Sequence, residues 1–320
     1  LYRLGKVPQL NYIKFLELLG VELEPARPAL ADITFPVLET YAEPYVTIPA
    51  GTQLAAEAGE SSVVFETERP LIALAARLDV IQGFDGYAYR NLSLENEDGT
   101  TSFQPFGSLA SPDSALLVGF KCAGDLPQVP LDITCWVREK SSGVSAYDCA
   151  TPETARLAPV TIVWEYWAGN EWRAMNMLQD ATRAFTRSGL VQLKTPKEGS
   201  MVQAVIGKVQ DARYWVRARL VKGTYERVPE LLAVRTNTVA AIQAETVKEE
   251  LMGGSDGRPN QSFQLESVPV LAGSLHLELD ELDGYQPWQQ VADFYSATAD
   301  DRHFMLNRTT GEVRFGDGIH

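Results

Sequence analysis

Hydrophobic positions repeat at two different periods along this chain, and the change between them marks out its elements. Tyr12, Phe15, Leu16 and Leu19 fall at i, i+3, i+4 and i+7 after Pro8, the spacing that lines one face of a helix. Pro8 suits a first helical position, where a missing N–H has no partner to lose, and Gly20 suits the end. Beyond Pro25 and Pro28 the period shortens to two, with Ile33, Phe35 and Val37 alternating as in a strand. Tyr45–Ile48 reads as another strand, running into Pro49-Ala50-Gly51. Pro at the second position and Gly at the fourth predict a type I turn there, so Pro49 and Gly51 are structural turn residues. Thr52–Leu54 and Val63–Thr67 read as the returning strands.

From about Phe103 to Arg235 short apolar runs are parted by Gly, Pro, Asp and Ser: Ala115–Phe120, Leu131–Arg138, Thr161–Trp167, Gly189–Leu193 and Tyr214–Leu220. Regular short strands with turn signals predict a β-sandwich. Trp136, Trp164, Trp167, Trp172 and Trp215, five of the six tryptophans, lie inside it, so it should have its own aromatic core. Asn237–Met252 fits helix spacing loosely, but its β-branched residues favour strand. Gly253–Asn260 is a loop by composition, and Leu275–Asp280 alternates as a strand with one wet face.

The expected fold is mainly β (α+β). An N-terminal helix and β-rich host part (1–105) carry a jelly-roll-like β-sandwich module that reads as an insertion (106–235), and the host continues over 236–320. At the end, Thr310–His320 reads as a turn, a strand and a second glycine turn, with Gly311, Gly316, Asp317 and Gly318 as turn residues. With Leu1 in place of a starting Met, this predicts a piece of a longer chain, cut at its C-terminal end before the element the last turn should feed.

Composition narrows the function classes. The 42 acidic residues exceed the 28 basic ones, for a net charge of −14 without any basic run, so nucleic acid and anionic membrane are poor partners. No apolar stretch approaches the roughly 18 residues of a membrane span. Cys122, Cys135 and Cys149 are odd in number, 13 and 14 residues apart, and match neither a zinc motif nor a disulfide framework. They read as small hydrophobes in a reducing cytoplasm.

Candidate chemistry is sparse, and no catalytic, metal or cofactor residue is assigned. His276, His303 and His320 have no Gly-x-Ser-x-Gly elbow to work with. The glycines of 253–260 match no phosphate-binding spacing. Glu95–Gly99 and Asp280–Gly284 hold oxygen ligands but lack an EF-hand pattern, and read as solvated turns. Trp164–Trp167 followed by Gly169-Asn170-Glu171-Trp172 could stack on sugars, with Glu165 and Glu171 as a hydrolase pair. Strand alternation sets Trp164 and Tyr166 against Glu165 and Trp167, so one set belongs to a core. Trp167 and Trp172 remain as surface or interface aromatics, and a carbohydrate-binding module is the alternative function.

A series of ordered landmarks is more specific. They are Tyr12–Leu16 with Leu19-Gly20, Ile33-Thr34-Phe35, Ile48–Gln53, Val64–Glu68, Trp164–Trp167, Asp180-Ala181-Thr182, Tyr214–Arg219, Asn237-Thr238-Val239, Pro259-Asn260-Gln261, Trp288–Val291 and Thr310–Gly318. In this order the chain resembles the baseplate J-like, or putative baseplate assembly, proteins of contractile-tailed phages and extracellular contractile injection systems. That resemblance implies a structural wedge subunit without catalysis or cofactor. It implies several copies in a ring, joined to other wedge subunits, hub, and sheath or tube. Such a protein assembles in the bacterial cytoplasm and ends in a tail baseplate or an injection particle released from the cell.

Overall fold

The computed structural model describes residue 15 and residues 27–38, 40–58, 61–138, 160–281 and 283–317. The expected N-terminal helix lies outside the described residues except for Phe15, which is helical and exposed. Cys149 and Gly318 also lie outside them. Elsewhere regular structure is nearly all strand, as the alternating pattern requires, and the chain divides into two compact units: Leu30–Ile242, and Leu1–Ala29 with Gln243–His320.

The larger unit begins with β1 (Leu30–Thr34), β2 (Tyr45–Ile48), β3 (Gln53–Ala58), β4 (Ser61–Thr67) and β5 (Leu71–Leu74). Next come β6 (Arg77–Phe84), β7 (Tyr89–Asn91), helix α1 (Ser93–Asp98), β8 (Ala115–Lys121), β9 (Pro130–Val137), β10 (Val160–Trp167) and β11 (Trp172–Ala174). It closes with β12 (Asn176–Asp180), β13 (Gly189–Lys194), β14 (Tyr214–Gly223), β15 (Leu231–Thr236) and β16 (Thr238–Ile242).

Two of its sheets share one core. The six-stranded sheet β11-β10-β14-β8-β6-β7 supplies Leu116, Val118, Trp164, Val216 and Ala218, and the four-stranded sheet β12-β13-β9-β15 supplies Leu131, Ile133, Val191, Leu193 and Val234. The alternation of each strand sends these residues to a common side, where each large side chain contributes about 1.5–3 kcal/mol by leaving water. β8 is buried on both faces. Its other face, with Ala115 and Leu117, packs with Trp215, Ala204, Ile206 and Val209, and Trp215 Nε1 donates to Ala204 O at 2.7 Å. β6 pairs with β8 from the far side of residue 105, so the expected division at 105/106 cuts through a sheet whose strands lie on both sides of it.

A third sheet, β1-β16-β4-β3, joins segments from the two ends of the unit, and β2 pairs with β5. Only Thr238–Ile242 of the expected Asn237–Met252 strand is β-structure. The solvated turn expected at Glu95–Gly99 is instead the last part of α1, capped by Gly99 at φ 66°. Asn96, on its buried side, explains the helix: its amide pairs with the backbone of Val234, donating to O at 3.2 Å and accepting from N at 2.6 Å.

Between β12 and β13 the chain makes a left-handed turn, with Arg183, Ala184 and Phe185 at φ 50°, 57° and 58°. Each such residue costs about 1–2 kcal/mol. Asp180 and Thr182 offset this by holding the turn's N–H groups: Asp180 accepts from Thr182 N and Ala184 N, and Thr182 Oγ1 accepts from Phe185 N. The turn drives Phe185 into the shared core against Phe106 and Trp164, with ring centroids 5.7 and 6.2 Å away.

In the smaller unit β17 (Ser262–Gln264), β18 (Leu277–Glu281), β19 (Gly284–Gln290), β20 (His303–Asn307) and β21 (Glu312–Phe315) form one sheet in the order β17-β21-β20-β19-β18. Its core gathers Leu265, Leu277, Phe304 and Val313 on one face, with Trp288 and Phe315 against them.

Candidate functional site

On the face of the six-stranded sheet turned away from the shared core, antiparallel register sets Glu165 of β10 opposite Arg217 of β14. Arg219 follows two residues on, so both guanidinium groups point the same way. Arg217 Nε donates to Glu165 Oε2 at 2.7 Å, and Arg219 Nε and Nη2 donate to Oε2 and Oε1 at 3.0 and 2.9 Å. Burial alone would raise the Glu165 pKa, but the hydrogen bonds from Arg219 and Arg217 outweigh it and hold the carboxyl below the usual range. A general acid needs the opposite shift, towards neutrality. Glu171, its expected hydrolase partner, is exposed and bound to Arg173 at 2.8 Å.

Trp167 and Trp172 face each other across β10 and β11, both half-buried. Their centroids are 5.3 Å apart with planes at 65°, and the Arg217 guanidinium lies 4.1 Å over the Trp172 ring. Rings set edge to face, one of them covered by a cation, offer no flat shared surface to a sugar. Among the described residues no group of three or more His, Cys, Asp or Glu is placed to hold a metal, and no helix is long and apolar enough to cross a membrane. Cys135 is buried, which pushes its thiol pKa up, and Cys122 is half-buried.

The turn residues work as joints. Ala50 and Gly51 form the centre of the first turn, with Gly51 at φ 73°, a conformation that type II rather than type I asks of its third residue. Pro49 O accepts from Thr52 Oγ1 at 2.7 Å and Thr67 Oγ1 at 2.9 Å, tying the turn to β4. Gly311 has φ 76°, and a Cβ there would lie 2.5 Å from Val268 Cγ1. Gly316 and Asp317 lie in no turn; Gly316 O accepts from Asn260 N at 3.0 Å.

A recess of about 300 Å³ opens beside Phe35, Leu74, Ser93, Asn96 and Asn237. The amides of Asn96 and Asn237 are both bonded to strand backbone, so they are committed to the fold. Asn96 reads locally as part of a solvated turn and Asn237 as the start of a strand, and neither pattern gave a sign of these amide bonds. The Glu165 cluster did leave a trace: Arg217 and Arg219 alternate with apolar neighbours on one strand, and Glu165 does so on another.

No protein-family model matches the chain, and no curated protein matches it. Among solved structures the chain is similar to one described as the type VI secretion system TssK-TssF-TssG baseplate subcomplex, seen by cryo-electron microscopy, with a TM-score of 0.49 and 13% identity. The likeness covers 98% of this chain and 62% of that one, so the chain spans less than two thirds of its length.

Proposed function

We propose that the chain is a structural wedge subunit of a contractile injection baseplate, working by assembly with neighbouring subunits. The observation that carries this reading is that the sequence landmarks meet one another in space. Ile33-Thr34-Phe35 pairs with Asn237-Thr238-Val239, Thr34 Oγ1 lying 2.8 Å from Thr238 Oγ1. Gln53 of the Pro49 landmark donates to Glu66 at 3.0 Å. Trp164–Trp167 pairs with Tyr214–Arg219, and Gln261 O accepts from Phe315 N at 2.9 Å. The Trp288 and Phe315 rings stand 5.2 Å apart.

Residues that join strand to strand preserve a framework, while residues that serve a reaction converge on a cavity. The landmarks belong to the first kind, which suits a protein whose product is a shape. Its mechanism would be mechanical: several copies hold a ring in a high-energy arrangement, and a shift at their interfaces on target contact releases the sheath. Electron microscopy of particles from a strain lacking this chain tests the reading. Sheaths without organised baseplates are expected, and normal particles with intact baseplates would overturn it.

A further inference from the structure

The five-stranded sheet of the smaller unit ends at β18, and this edge has an unusual specificity. Only two sequence positions separate Glu281 from Gly284, which face each other across β18 and β19 and so form a hydrogen-bonded pair. Antiparallel alternation makes Leu279–Gln286 and Leu277–Trp288 the next such pairs. Glu278 and Asp280 therefore turn their N–H and C=O groups outward. Pro287 agrees with this assignment, since it stands opposite Glu278 and has no N–H to give. Among the described residues no backbone hydrogen bond reaches Glu278 or Asp280 from the open side.

The side chains along this edge are sorted as cleanly as the backbone. Leu277 and Leu279 belong to the core face, buried and half-buried, while Glu278 and Asp280 are exposed on the other. A strand added here would set one row of its side chains beside the leucines and the other beside the carboxylates. A second copy of β18 fits badly, because antiparallel pairing about Leu279 would place Glu278 opposite Asp280 of its twin, and like charges directly opposite repel. Over 243–320 taken as a whole, acidic residues also outnumber basic ones.

We infer that β18 is the acceptor for a strand from another protein, with Lys or Arg at alternate positions and apolar residues between them, added to the sheet edge. Backbone hydrogen bonds hold such a strand and the alternation selects it. The assignment of that strand to a neighbouring subunit rests on the assembly reading. The preference of the edge does not.

The test uses the 320-residue protein and two probe peptides, acetyl-Thr-Lys-Val-Lys-Val-Lys-Thr-amide and its counterpart with Glu for each Lys. The basic peptide is expected to bind at least roughly tenfold tighter, about 1.4 kcal/mol, and to slow hydrogen exchange at the Glu278 and Asp280 amides. Replacing both acids, Glu278→Lys with Asp280→Lys, should reverse the preference. Glu278→Pro removes an outward N–H without touching the β18–β19 ladder, and should abolish binding. Equal binding of the two peptides to the unaltered protein overturns the inference without any variant, and so does protection confined to other strands. Intact particles from the deletion strain would remove the neighbouring subunit and leave the edge preference standing.

Discussion

Asn237 and Leu74 hold each other by both faces of an amide: Asn237 Oδ1 accepts from Leu74 N at 2.8 Å, and Asn237 Nδ2 donates to Leu74 O at 2.8 Å. Asn237 sits at φ 56°, between β15 and β16, where the chain leaves one sheet for another. Its side chain acts as a short piece of strand for β5, and both partners are buried. Asn237→Ala leaves the Leu74 N–H and C=O unpaired at about 1–3 kcal/mol each and puts an alanine at positive φ. A loss of about 3 kcal/mol is expected in urea unfolding; a change under about 1 kcal/mol would show that water replaces the amide.

The Glu165 cluster predicts an acid-sensitive part of the stability. The folded protein holds this carboxyl below its ordinary pKa. Its contribution is therefore complete above the unfolded value, about 4.3, and is lost as pH falls through the lower folded value. Glu165→Gln should remove that component and leave two arginines facing a neutral group, with a loss of about 3 kcal/mol at pH 7. Unfolding free energies measured from pH 7 to pH 3 should fall less steeply in the variant. Parallel curves would mean that other carboxylates carry the acid response.

Arg183→Gly should stabilise the larger unit. Glycine accepts φ 50° without the Cβ clash, a gain of about 1–2 kcal/mol that the freer unfolded chain reduces by about 0.4–1 kcal/mol. A rise in Tm is the expected readout. A fall would mean that contacts of the Arg183 side chain outweigh the strain.

Gly51 and Gly311 share a positive φ but differ in surroundings, so the same substitution should separate them. Gly51 has nothing within 4 Å of an added Cβ, whereas at Gly311 it would meet Val268 and Gln264. Gly51→Ala should lose only the conformational term of about 1–2 kcal/mol, and Gly311→Ala should lose more, with an overpacking term of about 1–3 kcal/mol added. Equal losses in thermal unfolding would show that the Gly311 turn shifts to make room.

Strands with strong alternation were legible in the sequence to within two or three residues at either end. Ala115–Phe120 became β8 and Tyr214–Leu220 became β14, slightly extended. What escaped was partnership. β6 lies before the expected module boundary yet joins its sheet, because β8 is apolar on both faces and needs a neighbour on each edge. α1 escaped because Ser93–Asp98 is too short and polar to show a helical period, and its reason for existing is the pairing of Asn96 with Val234, 138 residues away. The tryptophans were legible as a group, but which of them would be core followed from register: Trp215 is fully buried and Trp172 lies beneath Arg217.

Thr34 and Thr238, bonded across β1 and β16, are 204 residues apart. At roughly 5–20 residues per second of synthesis, β1 emerges from the ribosome about 10–40 s before its partner exists. The six-stranded sheet waits about half as long, since β14 separates β8 from β10 and comes after both. Throughout that interval β8 can pair with β6, which is made before it, but its other edge stands open. The production of this protein is thus a timing problem before it is a stability problem: its yield should respond to translation rate and to chaperones that shield nascent strands, even where the finished fold is left unchanged.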